Sequence, residues 1–243
     1  MKFQYDEYEA IIISLSYLFE LEDIIFIKKF NNIFIFGSKN KKIFRELNTR
    51  KSVVRYLDKF IIVLPERYTT QNQLWQDFYQ LFGNQYETLV NKKNNQECIE
   101  LMLNIISFNT DRNCKILDFG CGSGLSLEIK HTGEIYGYEL VDVMKNQAQN
   151  KGMIVYDSKE INNIPNDFFD AVFSSYVFHM GITNEDIERI IPKIKKGGLW
   201  VANFYKEINV NHVNKIFKDI GFITQKKLYG DERHGSIYVY RKQ

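Results

Sequence analysis

From Asp111 onward, short apolar runs alternate with amphipathic stretches. KILDF (115–119), EIYGYE (134–139), MIVYD (153–157), FDAVFSS (169–175) and GLWVANF (198–204) read as strands, with helices near 124–130, 141–151 and 183–194 between them. Such alternation implies a parallel sheet with helices on both faces. A last helix spans about 208–220. After Gly221, FITQKKL and GSIYVYR read as two strands joined by the turn 230–233, which makes an antiparallel pair. The predicted fold class is α/β: a seven-stranded, mostly parallel sheet with helices on both faces and a C-terminal antiparallel hairpin, preceded by a small α+β N-terminal region.

The first half patterns differently. Residues 7–20 read as an apolar helix, and DIIFIKKFNNIFIFG gives two β-rich runs on either side of Asn31-Asn32, a hairpin signal. A Lys-rich stretch near 39–58 reads as helical, and Phe60–Leu64 as a strand ended by Pro65. Gly37 after an apolar run is compatible with a degenerate nucleotide turn, but it lacks the further glycines that close approach to a pyrophosphate needs. In the region 68–110, Leu74, Trp75, Phe78, Tyr79, Leu81, Phe82 and Tyr86 make a helical apolar stripe. A second helix over 98–108 turns Ile99, Met102, Leu103 and Ile106 inward. These helices read as cover for the core; alternatively, some of their aromatics roof a substrate pocket. Three segments result: an α+β region over 1–66, a helical cover over 67–110 and a core over 111–243.

Composition narrows the class. Hydrophobic residues at 44% supply a real core, which argues against general disorder. Lys and Arg total 32 against 30 Asp and Glu, so no overall charge calls for a polyanionic partner, and no DNA partner is expected. Cys98, Cys114 and Cys121 lack CxxC spacing, and His131, His179, His212 and His234 form no HxxxH pair, so no metal site is predicted. The run Ala10–Phe19 is preceded by Asp6, Glu7 and Glu9 rather than by a basic leader, and falls short of the roughly 20 apolar residues of a membrane span. A cytoplasmic setting with no membrane association is the default expectation.

The strongest chemical signal is Ile116-Leu-Asp-Phe-Gly-Cys-Gly-Ser-Gly124. A buried strand delivers Asp118 and the alternating glycines Gly120, Gly122 and Gly124 to a turn that opens a helix. Glycine suits such a turn because it tolerates positive φ and leaves the backbone open to a ligand.

Here the sequence resembles the class I (Rossmann-like) S-adenosylmethionine-dependent methyltransferases, in particular the subgroup acting on small molecules. The resemblance covers roughly residues 111–243, and Asp118–Gly124 matches the family's D-x-G-x-G-x-G motif. It implies S-adenosylmethionine as cofactor, with Asp118, Gly120, Cys121, Gly122 and Gly124 around its methionine part. Dinucleotide sites instead carry GxGxxG, and a carboxylate before the loop suits an ammonium and a sulfonium better than a pyrophosphate. Glu139, at the end of the next strand, is the implied acceptor for the ribose hydroxyls, with Leu140 beside it; it also fits a solvated strand-end carboxylate. Asp157 and Ser158 fall at the implied adenine position, in an order that leaves either as the bonding partner. Asp142 reads as a helix N-cap. Asp170 opens the implied fourth strand, and Lys195, Lys196 and Gly197 read as a helix C-terminus leading into the fifth.

The end of the fourth strand is where the resemblance implies that the methyl group lies, which points to Ser174, Ser175, Tyr176 and His179. Ser174 is the cofactor contact of this group; His179 and Tyr176 are the candidates for acting on the acceptor, and His179 also fits a packing role. The segment SSYVFHM lacks the [DNS]-P-P-[YF] motif that many amino-methylating enzymes use. The expected reaction is methyl transfer to oxygen or nitrogen of a small molecule. A peptide, protein or RNA docked by the N-terminal region, and a non-catalytic cofactor-binding module, are the alternatives.

Overall fold

The computed structural model describes residues 24–30, 33–38, 53–56, 59–65, 71–85, 87, 91–180, 182–228 and 233–243. Contacts divide the chain into two compact units, Met1–Val90 and Asn91–Gln243.

In the first unit, β-rich apolar segments form an antiparallel sheet of β1 (Ile24–Phe30), β2 (Ile33–Ser38), β3 (Val53–Tyr56) and β4 (Lys59–Pro65), in the order β1-β2-β4-β3. Phe30 pairs with Ile33, as the Asn31-Asn32 hairpin signal requires. Gly37 sits inside β2 opposite Phe26 and Ile61, so it serves antiparallel pairing and no βαβ nucleotide turn. The Lys-rich stretch departs from expectation: its end, Val53–Tyr56, is a strand paired with β4. β-Branched Val53 and Val54 pair better on a pleated surface than in a helix. The expected helix over 7–20 lies outside the described residues. Helix α1 (Gln71–Phe82) carries Trp75 and Tyr79 one turn apart with rings stacked at 5.8 Å.

The second unit begins with α2 (Lys92–Ser107), capped by the Asn91 side chain, which accepts from the Asn94 N–H at 3.1 Å. Cys98, Ile99, Met102, Leu103 and Ile106 form its buried stripe. The helix packs on the second unit's sheet, although its sequence grouped it with a cover preceding the core. The sheet contains β5 (Lys115–Phe119), β6 (Glu134–Tyr138), β7 (Ile154–Tyr156), β8 (Phe169–Ser174), β9 (Ile194–Phe204), β10 (Phe222–Leu228) and β11 (Ser236–Lys242). Their order is β10-β11-β9-β8-β5-β6-β7. β5 to β9 run parallel, while β11 is antiparallel to both β9 and β10. This is the predicted seven-stranded sheet with its C-terminal hairpin.

Strand alternation assigns the core to two layers. Leu117, Phe119, Val172, Trp200, Ala202 and Tyr240 face one side, with α4 (Asn184–Ile190) and α5 (Val210–Asp219). Ile116, Ala171, Phe173, Leu199, Val201 and Val239 face the other, with α2 and α3 (Asp142–Asn150). Two local expectations are corrected. The helix expected near 124–130 is a single 3₁₀ turn, Leu125–Glu128, because Gly124 enters it in the left-handed conformation. Lys195, Lys196 and Gly197 do not end a helix; they open β9, where Lys195 Nζ reaches Asp170 Oδ1 at 2.6 Å. Asp142 is the first residue of α3, with Val141 at the cap position.

Candidate active site

The chain passes from β5 to β6 and β7 on one side and returns through β8 and β9 on the other, so strand order reverses between β5 and β8. Ligands of open α/β sheets bind at the carboxyl ends of strands at such a reversal. The glycine loop leaves β5 there.

Gly120, Gly122 and Gly124 hold φ of +77°, +54° and +75°. The Gly120 and Cys121 amides both donate to the Tyr138 carbonyl, at 2.8 and 3.1 Å, which ties the loop to β6. At Gly120 the requirement is also spatial, since a Cβ would lie 2.6 Å from a Val177 methyl. The segment leaving β8 therefore lies directly against the loop.

Asp118 is 3% exposed and accepts from the Ser126 hydroxyl at 2.6 Å. Burial pushes its carboxyl up to about 7; the Ser126 hydrogen bond opposes this, and the Glu139 carboxylate adds to it. Glu139, half-buried at the end of β6, has a carboxylate that spans the site. One oxygen accepts from the Gly122 N–H at 2.9 Å, the other from the N–H groups of Leu140 and Val141 at 2.9 Å each. Burial raises its carboxyl above the ordinary range, and those three amides pull it back. Leu140 contributes its backbone here and packs its side chain at the edge of the core.

Asp157 is committed locally. Its Oδ1 accepts from the Lys159 and Glu160 amides at 2.8 and 2.9 Å, and its Oδ2 takes Lys145 Nζ at 3.0 Å. The backbone amides and Lys145 hold its carboxyl down at about 2. Ser158 follows it, its carbonyl accepting from the Asn162 side chain at 3.1 Å. Two side chains turn away from the loop edge. Cys121 is buried with its sulfur 2.6 Å from where a Cβ on Gly137 would stand, so only its backbone faces outward. Ser174 is fully buried and accepts from the Trp200 indole N–H at 3.2 Å, so its hydroxyl belongs to the core. The hydroxyls of Ser123 and Ser175 are instead buried without a hydrogen bond among the described residues, one in the glycine loop and one just past β8.

Beyond β8, Tyr176 holds a left-handed φ of +57°. Its N–H donates to Asn203 Oδ1 at 2.6 Å, and Asn203 Nδ2 donates to the His234 carbonyl at 2.8 Å. The Tyr176 hydroxyl lies 2.6 Å from His234 Nδ1 and 3.0 Å from the Arg233 carbonyl. The Tyr205 ring meets those of Tyr176 and His179 edge-on, at 5.8 and 5.7 Å. Burial first, and the Lys206 charge second, push His179 down to about 4, which keeps it neutral near pH 7. Lys206, Glu207 and Asn209, just past β9, also hold positive φ. Such strain in non-glycine residues clusters at functional sites. Asn203 and His234 were missed by sequence reasoning; the only advance signal was a polar Asn203 in the apolar run GLWVANF.

The strand order, the closing hairpin and the acid-preceded glycine loop define the class I, Rossmann-like methyltransferase fold. Residues 116–197 match a family model described as a methyltransferase domain. No curated protein matches the sequence significantly. Among solved structures, magnesium protoporphyrin IX methyltransferase from Synechocystis PCC 6803, with bound S-adenosylmethionine, aligns at TM-score 0.57 and 13% identity, over 73% of this chain and 100% of its own. An amino pentose methyltransferase from Micromonospora echinaspora, also with S-adenosylmethionine bound, aligns at TM-score 0.52 and 13% identity, over 61% and 91%. The [4+2]-cyclase SpnF aligns at TM-score 0.55 and 14% identity, over 72% and 97%. Residues 116–197 thus carry a methyltransferase domain, in a fold shared with S-adenosylmethionine-binding methyltransferases. Among the described residues, no helix is long and apolar enough to cross a membrane, and no cluster of side chains is arranged to hold a metal ion.

Proposed function

We propose that the protein transfers a methyl group to an oxygen or nitrogen of a small molecule. The observation that carries this is the ring cluster of Tyr176, His179 and Tyr205 beyond β8 and β9, which gives a small acceptor an aromatic wall beside the glycine loop. Two of the aligned structures are named for small-molecule acceptors, a porphyrin and an amino pentose, which supports the same class.

The residues present fit the cofactor. A carboxylate has about four acceptor positions, and three at Glu139 are used by backbone amides, which fixes its orientation and leaves capacity for a ribose hydroxyl. Buried Ser123 and Ser175 hydroxyls at the strand reversal call for a polar ligand. In this reading the Gly120–Gly124 backbone and Asp118 hold the methionine part, Glu139 the ribose, and Asp157 with Ser158 the adenine edge. Asp157 acts chiefly by shaping the turn, because its oxygens already hold Lys145 and two amides. When bound, the cofactor supplies a methyl already activated by a sulfonium. The protein's part is then mostly positioning, worth up to roughly 7–11 kcal/mol for well-oriented reactants.

Two measurements test this. Charge-assisted hydrogen bonds contribute about 1.5–3 kcal/mol, so Glu139→Ala is expected to weaken S-adenosylhomocysteine binding at least tenfold by calorimetry. Unchanged affinity would remove Glu139 from the site. With methyl-labelled cofactor, label is expected in a panel of phenols, amines and sugars; label entering only peptides or RNA overturns the small-molecule reading.

A further inference from the structure

The geometry points to Tyr176 and His234 as a proton-accepting pair for the methyl acceptor, with Glu97 as the residue that orients His234. This rests on the methyltransferase reading and adds to it residues from two more elements.

Each partner is held for the purpose. Tyr176 stands two residues past β8, and the next residue, Val177, lies against Gly120 of the glycine loop. Its backbone is locked in the left-handed region by Asn203, which is itself 1% exposed. His234 is brought to the same edge because β11 runs antiparallel, pairing Ser236 with Phe204 at the end of β9. Gly235 makes this approach possible, since a Cβ there would stand 2.1 Å from the Phe204 carbonyl oxygen. One Asn203 side chain thus binds both partners, through the Tyr176 amide and the His234 carbonyl.

The ring nitrogens of His234 face different groups. Nδ1 is 2.6 Å from the Tyr176 hydroxyl, while Nε2 is 3.9 Å from the Glu97 carboxylate. A hydrogen on Nε2 is favoured by the carboxylate, which leaves Nδ1 as the nearer of two acceptors for the single phenol hydrogen, the other being the Arg233 carbonyl, to which the hydroxyl donates at 3.0 Å. Glu97 is fixed in turn by Arg233 at 2.8 Å, with Lys93 at 3.9 Å. Among the described residues, the Arg233 carbonyl and the Tyr205 ring also stand near the pair, with Lys206 above the latter. Burial makes His179 reluctant to take a proton.

In the step assigned to the pair, the Tyr176 oxygen receives the acceptor's O–H or N–H proton as its own proton passes to His234 Nδ1. The acceptor lone pair forms the new bond to the methyl carbon, and the electron pair of the broken carbon–sulfur bond stays on sulfur. The positive charge lost from sulfur reappears on the His234 imidazolium, beside Glu97.

Nitrogen-15 NMR of the imidazoles tests this on the intact protein, with His234 assigned by His234→Gln and, independently, by its response to Tyr176→Phe. The expected result is His234 with hydrogen on Nε2 and a bare Nδ1 whose resonance moves when the phenol is removed. Adding S-adenosylhomocysteine should shift the His234 signals in wild type, with most of that shift lost in Tyr176→Phe. A hydrogen on Nδ1 overturns the proposal, because His234 would then donate to the phenol rather than accept from it. So does S-adenosylhomocysteine that binds by calorimetry yet leaves His234 unmoved. Failure of wild type to bind S-adenosylhomocysteine would instead overturn the methyltransferase reading beneath it.

Discussion

At Asp118 the protein keeps a carboxyl group 3% exposed, with one serine hydroxyl for company and a second carboxylate nearby. Its folded value of about 7, against 3.8 when free, means that the folded state holds a proton the unfolded state has released over that interval. Below about pH 4 both states are protonated and the group is neutral toward stability. As pH rises toward 7 the unfolded state gains from ionisation first, so stability falls, by a few kcal/mol at most for a shift of this order. Glu139 is raised as well and acts in the same direction. Asp118→Asn keeps an acceptor for Ser126 and cannot ionise. In denaturant titrations between pH 4 and 7.5, wild type should lose stability relative to this variant as pH rises; parallel curves would show that Asp118 ionises as in water. A cation-bearing ligand at the loop would favour the ionised carboxyl and so relieve what folding leaves strained.

Between elements, the carboxyl ends of β8 and β9 are tied by Asn203 rather than by ladder hydrogen bonds alone. Asn203→Ala would leave the Tyr176 amide and the His234 carbonyl without that partner, at a cost of about 2–3 kcal/mol for buried groups. The denaturant midpoint should drop accordingly, and a loss below about 0.5 kcal/mol would mean that water replaces both bonds. Little of this tie was legible beforehand. Asp118, the glycines and Glu139 lie within one strand–loop–strand segment, where fixed spacing and short apolar runs signal structure directly. Glu97, Asn203 and His234 come from a helix, a strand end and a hairpin, and hydrogen bonds between such distant positions leave no periodic trace. Lys195 and Lys196 misled for a related reason. Cations before paired glycines fit a helix end, but here the β8–β9 register shifts between Phe169 and Ala171, and Lys195 answers Asp170 across the strands. Ser174, placed in the site by the resemblance, has its hydroxyl against the Trp200 indole, while the Ser175 hydroxyl is buried without a hydrogen bond among the described residues.

Across the whole molecule, every residue assigned to the cofactor lies in the unit Asn91–Gln243. That unit has its own two-layered core and about 150 residues, a size that folds alone. A fragment beginning at Asn91 is therefore expected to bind S-adenosylhomocysteine within about threefold of the full chain, by calorimetry. Loss of binding would show that the first unit completes the cofactor site; retained binding with lost transfer would place its contribution on the acceptor.

The sheet order has a further consequence, for synthesis. β11 is made after both β9 and β10 yet lies between them. Until it emerges from the ribosome, β9 has a fully apolar stretch, Leu199–Ala202, and one side without a hydrogen-bonding neighbour. An open edge of this kind accepts any extended segment that presents itself. The β11 of a second copy fits the same edge, so copies synthesised together are at risk of exchanging this strand before each closes its own sheet.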